Sequence, residues 1–132
     1  MAAKDVYITL RDDKETDNNI EIVIGGWTNT KSVIRATHQP ETAVVELEGP
    51  QVDINECKTF WVTWADNGDI KVGTGTVVGQ NEIMAGNIVQ DINYVGFTTA
   101  YGGVGHWNFG KLLYKSLSNY IFSTIEMLFN ML

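Results

Sequence analysis

Over residues 5–110 the sequence alternates between short runs of β-branched, aliphatic or aromatic residues and groups of turn-forming residues. The strongest local signal is a pair of such runs around Asn67 and Gly68, residue types that tolerate the positive φ of a tight hairpin. Seven or eight runs at a spacing of about 10–15 residues predict an all-β, antiparallel sandwich or barrel-like domain. The predicted strands cover residues 6–10, 20–24, 32–35, 42–47, 58–64, 69–73 and 93–99.

The tail follows a different pattern, because glycine disappears from residue 111 to residue 132. Its apolar residues recur at steps of three and four, which predicts an amphipathic helix over about 111–130. A β-strand over 120–125 stays an alternative. The sequence therefore predicts an all-β domain over 1–110 and an amphipathic tail over 111–132 that packs on its own domain or joins copies in a homo-oligomer. The apolar stripe consists of Leu113, Leu117, Tyr120 or Ile121, Thr124 and Leu128.

Composition and charge exclude several classes of protein. Sixteen acidic against nine basic residues give a net charge of −7, which argues against a nucleic-acid partner. A single cysteine, Cys57, excludes an internal disulfide, and two distant histidines and an acidic loop without calcium-site spacing predict no metal ion. With no signal peptide and no apolar run near the ~20 residues of a membrane span, we expect a soluble protein, cytoplasmic or released without a signal peptide.

Three motifs stand out in sequence order, namely residues 22–35, residues 60–64 with 70–73, and residues 94–97 with 105–107. They closely resemble the farnesoic acid O-methyltransferase-like domain of invertebrate proteins over roughly residues 5–110. The resemblance extends to small lectins of the feather star type, which bind galactose and N-acetyllactosamine. It thus implies either glycan binding or methyl transfer.

The glycine patterns argue against methyl transfer. An enzyme that uses S-adenosylmethionine normally needs a glycine-rich turn between a parallel strand and a helix. Here Gly25 and Gly26 lead through Trp27 into another strand, and the glycine-rich loop at 102–105 lies late in the chain without βαβ surroundings. We therefore expect no enzymatic activity and no cofactor.

Aromatic residues beside polar loops point to carbohydrate binding. A sugar presents an apolar C–H face and a rim of hydroxyl groups, so its site needs an aromatic ring and fixed donors and acceptors. Two loops about 75 residues apart, residues 27–31 and residues 101–107, offer both an aromatic ring and polar groups. The prediction requires the fold to bring these two loops to one end of the sandwich. Trp107 or Tyr101 would stack on the sugar, and Arg35 would orient its neighbours or bridge to the ligand. The predicted ligand-binding residues are Trp27, Asn29, Lys31, Arg35, Tyr101, His106 and Trp107.

Structural roles remain open for some of these residues. Trp27 could close one end of the sandwich, Arg35 could pair with a carboxylate such as Glu46, and His106 could be an exposed loop residue. Trp61 and Trp64 fall on opposite faces of one strand, so at least one belongs to the core.

The leading hypothesis for function is a non-enzymatic lectin for galactose or N-acetyllactosamine-type glycans. The alternatives are a methyltransferase-like enzyme of juvenile-hormone (farnesoic acid) metabolism and a protein-interaction domain, since β-sandwiches host many functions.

Overall fold

The computed structural model describes residues 4–13, 18–37 and 42–103, together with the backbone of three later strands. Among the described residues there is no helix long and apolar enough to cross a membrane. Eleven strands lie within the described part of the chain. They are β1 (Val6–Arg11), β2 (Asn19–Gly25), β3 (Lys31–Ala36), β4 (Thr42–Glu48), β5 (Lys58–Trp64), β6 (Asp69–Thr74), β7 (Glu82–Asn87), β8 (Tyr94–Thr99), β9 (Trp107–Phe109), β10 (Leu113–Lys115) and β11 (Thr124–Met131).

The strands form two sheets. The first has the order β4-β3-β2-β1-β8, and the second has the order β10-β11-β5-β6-β7, with β9 also pairing with β11. Every pairing between these described strands is antiparallel. The all-β antiparallel prediction is therefore confirmed, and Gly68 has the positive φ (87°) predicted for the hairpin between β5 and β6.

The core lies between the sheets and follows from the two-residue alternation of each strand. In β1, Val6, Ile8 and Leu10 point inward and are fully buried. Full burial of one such side chain contributes about 1.5–3 kcal/mol, so this layer holds the two sheets together. The other members are Ile20, Ile22, Ile24, Ile34, Val52, Phe60, Val62, Trp64, Ile70, Val72 and Met84.

The outward face of the first sheet carries the candidate site. Residues between the core positions point to this face, and Tyr7 on β1 is paired in register with Val23 on β2. Val23 is in turn paired with Val33 on β3. Both valines are buried although neither belongs to the core cluster, so this outer face is covered. The backbone of Gly26 approaches Val23 closely enough that a Cβ there would lie 2.9 Å from Cγ1 of Val23.

The two tryptophans of β5 occupy opposite faces, as their spacing predicts. Trp64 belongs to the core between the sheets. Trp61 is also fully buried but lies outside that cluster, against the backbone of Gly73 on β6, and its Nε1 donates a hydrogen bond to the carbonyl of Gln80 (2.8 Å). Both rings are therefore structural.

The tail differs from the prediction. Leu113–Lys115 and Thr124–Met131 are β-strands where the sequence predicted helix, and the remaining residues between 110 and 123 lie outside the described residues. The physical reason is that β11 pairs with β5 over five residues, from Met127 opposite Val62 to Met131 opposite Lys58. Backbone pairing with the otherwise open edge of β5 thus stabilises a strand here, although the spacing of the apolar residues is that of a helix. The domain boundary at residue 110 stays a prediction.

Candidate functional site

The connection between β2 and β3 has an unusual backbone. The short turn Gly26–Asn29 is left-handed, with φ values of 50° at Trp27, 64° at Thr28 and 63° at Asn29. Gly25, just before it, also has a positive φ of 63°. A left-handed conformation costs an L-residue roughly 1–2 kcal/mol, and the cost is highest for a β-branched residue such as Thr28. Such a turn persists only where surrounding interactions determine it.

The amide of Asn29 supplies three of these interactions. Its Nδ2 donates to the carbonyl of Val52 (2.7 Å), and its Oδ1 accepts from the backbone N–H groups of Gln51 (3.0 Å) and Val52 (3.2 Å). These bonds join the turn to the segment between β4 and β5. Asn29 is therefore a structural residue of the turn and does not line the cleft described below.

Two hydroxyl groups fix the rest of the turn. The fully buried Ser32 accepts a hydrogen bond from the N–H of Gly25 (3.0 Å). The hydroxyl of Thr30 donates to the carbonyl of Trp27 (2.7 Å), while the N–H of Thr30 donates to the carbonyl of Gly26 (3.0 Å). These bonds form in the left-handed conformation and stabilise it, so together they help to offset its conformational cost.

The turn places the indole of Trp27 over the outward face of β3. The ring centroid lies 4.2 Å from Nζ of Lys31 and 5.9 Å from Cζ of Arg35. Cations at these distances attract the face of an indole by about 0.5–2 kcal/mol. Nevertheless 45% of Trp27 stays exposed, so the ring has surface left for a ligand.

One cavity opens beside this ring, and we call it the main cleft. Its volume is about 410 Å³, within the range of about 300–1,000 Å³ that is usual for small-molecule sites. Three aromatic side chains and three charged side chains face it, a mixture of apolar and polar surface. The lining residues are Lys4, Asp5, Tyr7, Trp27, Thr28, Arg35 and Tyr101.

The backbone of Asp5 explains why two loops distant in sequence meet at this cleft. Its N–H donates to the carbonyl of Gly25 (2.9 Å), just before the left-handed turn. Its own carbonyl accepts from the N–H of Ala100 (3.1 Å), next to Tyr101. Since β1 lies between β2 and β8 in the sheet, the residue that precedes β1 holds both loops at one end of the sandwich.

Each cation at the cleft has a carboxylate partner. Arg35 donates from Nε (2.9 Å) and Nη2 (2.6 Å) to Oε2 of Glu21, its direct cross-strand neighbour in register. Nζ of Lys4 lies 3.7 Å from Oδ2 of Asp5. The sequence analysis gave Glu46 as an example of a carboxylate that could pair with Arg35. In the structure Arg35 pairs with Glu21 instead, and Glu46 pairs with Nζ of Lys31 (3.2 Å). In the ranges that the structure describes, no group of three or more His, Cys, Asp or Glu side chains could hold a metal ion.

The surroundings of the Tyr7 phenol raise its pKa. Partial burial raises its pKa above the ordinary value of 10.0, and the nearby Tyr101 and Asp5 raise it further, while Arg35 lowers it. At neutral pH, Tyr7 therefore presents a hydroxyl that both donates and accepts hydrogen bonds. The carboxylate of Asp5, whose side chain is only 6% exposed, adds an acceptor at the same end of the cleft.

Comparison with known families agrees with this arrangement of motifs. Residues 1–112 match the family model described as farnesoic acid O-methyl transferase. The chain belongs to this family. No curated protein and no solved structure matches it. The matched range contains the left-handed turn and every residue that lines the main cleft.

The structure of this farnesoic acid O-methyl transferase-family domain separates the sequence-predicted ligand-binding residues. It brings Trp27, Arg35 and Tyr101 together at the main cleft, with Lys31 against the face of the Trp27 indole. Asn29 instead holds the turn, His106 lies outside the described residues, and Trp107 is described only by its backbone in β9, opposite Met131.

Four lining residues were missed by the sequence analysis, namely Lys4, Asp5, Tyr7 and Thr28. A signal existed for Tyr7, because it places an aromatic ring at an outward position of the first strand, between the inward Val6 and Ile8. Lys4 and Asp5 precede that strand and carry no pattern of their own.

The strain of the turn predicts opposite effects on the free energy of unfolding for Thr→Gly substitutions at positions 28 and 30. Thr28→Gly should raise the free energy of unfolding by about 1 kcal/mol, because relief of the left-handed conformation exceeds the added entropy of the unfolded chain. Thr30→Gly, at a φ of −100°, should lower it by about 1–2 kcal/mol through entropy and loss of the hydroxyl bond to Trp27. Urea unfolding measures both, and equal losses would contradict a strained turn.

The raised pKa of Tyr7 predicts a loss of stability at alkaline pH. Above about pH 10 the unfolded chain releases the phenolic proton while the folded chain retains it, so the free energy of unfolding falls as pH rises toward the folded pKa. Tyr7→Phe lacks this contribution. The unfolding free energy of wild type minus that of Tyr7→Phe should therefore become smaller as the pH rises from about 8 to about 10.5. A difference that is independent of pH would refute the assignment.

Proposed function

We propose that this domain is a non-enzymatic lectin that binds a neutral, galactose- or N-acetyllactosamine-type glycan in the main cleft. The observation that carries the proposal is the pair of exposed rings, Trp27 and Tyr101, at a cleft that also holds the buried carboxylate of Asp5. Tyr101 is 80% exposed and Trp27 is 45% exposed, so both rings are accessible to a ligand.

The chemistry of the cleft matches the two kinds of surface on a sugar. The exposed rings offer apolar area for the C–H face of a pyranose. The Asp5 carboxylate accepts from hydroxyl groups, and the neutral phenol of Tyr7 both donates and accepts. Hydrogen bonds to an ionised acceptor are the stronger ones, so Asp5 would contribute most to the orientation of the sugar.

The charges favour a neutral glycan over a sialylated or sulfated one. Arg35 is held by Glu21, Lys31 by Glu46 and Lys4 by Asp5. An anionic ligand would have to compete with these carboxylates, and the net charge of −7 opposes its approach. A neutral ligand meets neither obstacle.

Methyl transfer is the alternative that the family description suggests. Among the described residues the only helical segment is the four-residue turn Gly26–Asn29, and the sheets are antiparallel. Nucleotide-type cofactors are usually held where a parallel strand leads through glycines into a helix. This difference supports the lectin proposal over an enzyme of farnesoic acid metabolism. A protein-interaction domain without a sugar ligand is the third candidate and an outcome of the test below.

Single sugar sites bind weakly, so we also propose that the protein is a homo-oligomer that joins copies through its tail. Deleting residues 111–132 would not test this, because β11 pairs with β5 and its loss would disrupt the second sheet. Light scattering of the full chain over a dilution series should give a mass above 14.7 kDa that falls on dilution. A constant monomer mass would refute the assembly.

The proposed site predicts different effects for two exposed tyrosines. Tyr101→Ala should weaken binding of N-acetyllactosamine about five- to tenfold, because loss of ring stacking costs on the order of 1 kcal/mol. Tyr94→Ala, which removes the same side chain from β8 outside the main cleft, should change it less than twofold. NMR titration of the soluble disaccharide measures the single-site affinity without avidity.

Three results would overturn the proposal. Equal affinities for the two variants would remove Tyr101 from the site. Failure of the wild-type protein to bind any glycan on an array would refute the lectin. Saturable binding of S-adenosylmethionine with transfer of its methyl group to farnesoic acid would establish the enzyme instead.

A further inference from the structure

A second, smaller cavity borders the main cleft, and we call it the side cleft. Its volume is about 220 Å³, and it is lined by Trp27, Val33, Arg35, Ala43 and Glu46. Trp27 and Arg35 line both cavities. The other residues of the side cleft lie on β3 and β4, whereas those of the main cleft lie toward β1 and β8. The two cavities are therefore neighbours across the outward face of the first sheet, with the Trp27 ring between them.

The side cleft has the same mixed chemistry as the main cleft. Val33 and Ala43 supply apolar surface, and Glu46 supplies a carboxylate whose side chain is 46% exposed. A carboxylate has about four acceptor positions, so the bond to Lys31 leaves others for hydroxyl groups. The volume lies below the range of about 300–1,000 Å³ for separate small-molecule sites. The cavity is thus suited to extend a neighbouring site.

We infer that the side cleft is a second sugar position, which holds the sugar next to the one in the main cleft, with the Trp27 ring between the two. This rests on the proposed function, since it takes the main cleft as the first sugar site. Arg35 touches both cavities and is anchored by Glu21, so its guanidinium lies at the position of the linkage between the two sugars.

A substitution that fills the side cleft tests the inference. Ala43 is exposed on β4, the edge strand of the first sheet, and Phe suits an exposed strand position. Ala43→Phe should leave the affinity for methyl β-galactoside within twofold of wild type. Wild type should bind N-acetyllactosamine about tenfold more tightly than methyl β-galactoside, and Ala43→Phe should abolish that gain.

The matched control is Ala85→Phe, the same change at an exposed alanine on β7, the edge strand of the second sheet. It should leave both affinities unchanged. Thermal unfolding confirms that each variant is folded, and Ala43→Leu replaces Ala43→Phe if the larger ring prevents folding. NMR titration with both sugars gives the four affinities on one scale.

The outcomes separate this inference from the proposed function. Equal binding of both sugars by wild type, or a full gain retained by Ala43→Phe, would overturn the second sugar position while the main cleft stands as a lectin site. Loss of methyl β-galactoside binding in Ala43→Phe would place the first sugar in the side cleft and overturn the assignment. Binding of neither sugar by wild type would overturn the lectin proposal as well.

Discussion

Two backbone hydrogen bonds of Asp5 determine where the candidate site can form. One fastens the end of β2, and the other fastens the segment after β8, so three parts of the chain meet at a single residue. Both bonds use the backbone of Asp5, which holds a positive φ of 56° that Asp tolerates better than most residues with a side chain. Because neither bond uses the side chain, the carboxyl group of Asp5 is left to line the main cleft, where it is buried and lies 3.7 Å from Nζ of Lys4. One residue thus assembles the site and contributes chemistry to it.

The left-handed turn gives this junction its aromatic surface. An ordinary right-handed or extended connection between β2 and β3 would direct Trp27 elsewhere, because the side-chain direction follows φ and ψ. The cost of the turn is offset by the amide of Asn29 and the hydroxyls of Ser32 and Thr30. Strain of this kind is concentrated at ligand sites in other folds, where it fixes a group in advance of binding. Here it fixes an indole above two cations.

The sequence predicted the parts of this molecule that depend on local pattern. Alternating apolar residues placed most strands, and Gly25, Gly26 and Trp27 marked the turn that builds the site. The sequence did not predict β7, because this strand contains Glu, Ala, Gly and Asn and its β-propensity is weak. Only Met84 is buried in it, and its position depends on pairing with β6. The strands of the tail were also not predicted, because β11 forms by pairing with β5 and the spacing of its own residues does not indicate this pairing.

Sequence analysis also could not identify hydrogen-bond and ion-pair partners that lie far apart in the chain. Asn29 was recognised as a polar residue at the correct turn, yet its amide is used by residues 51 and 52, which no pattern connects to it. Arg35 pairs with Glu21 because β2 and β3 share a register that puts the two side by side. Asp5 carried no signal at all, because its role arises from two neighbours that the sheet order brings together. Sites of this kind become visible only with the register.

The irregular pairing between β3 and β4 has a consequence for how such a domain diversifies. The register shifts between Ile34 and Arg35, where Val45 and then Ala43 stand opposite, which leaves Val44 as an extra residue in the edge strand. A bulge absorbs an inserted or deleted residue locally, and an edge strand has only one hydrogen-bonded neighbour to disturb. The border of the site beside Ala43 can therefore change from one lineage to another while the turn and the core stay as they are. Changes at the outward positions of this strand would alter the border of the candidate site without touching Val45 and Leu47, which pack against the core.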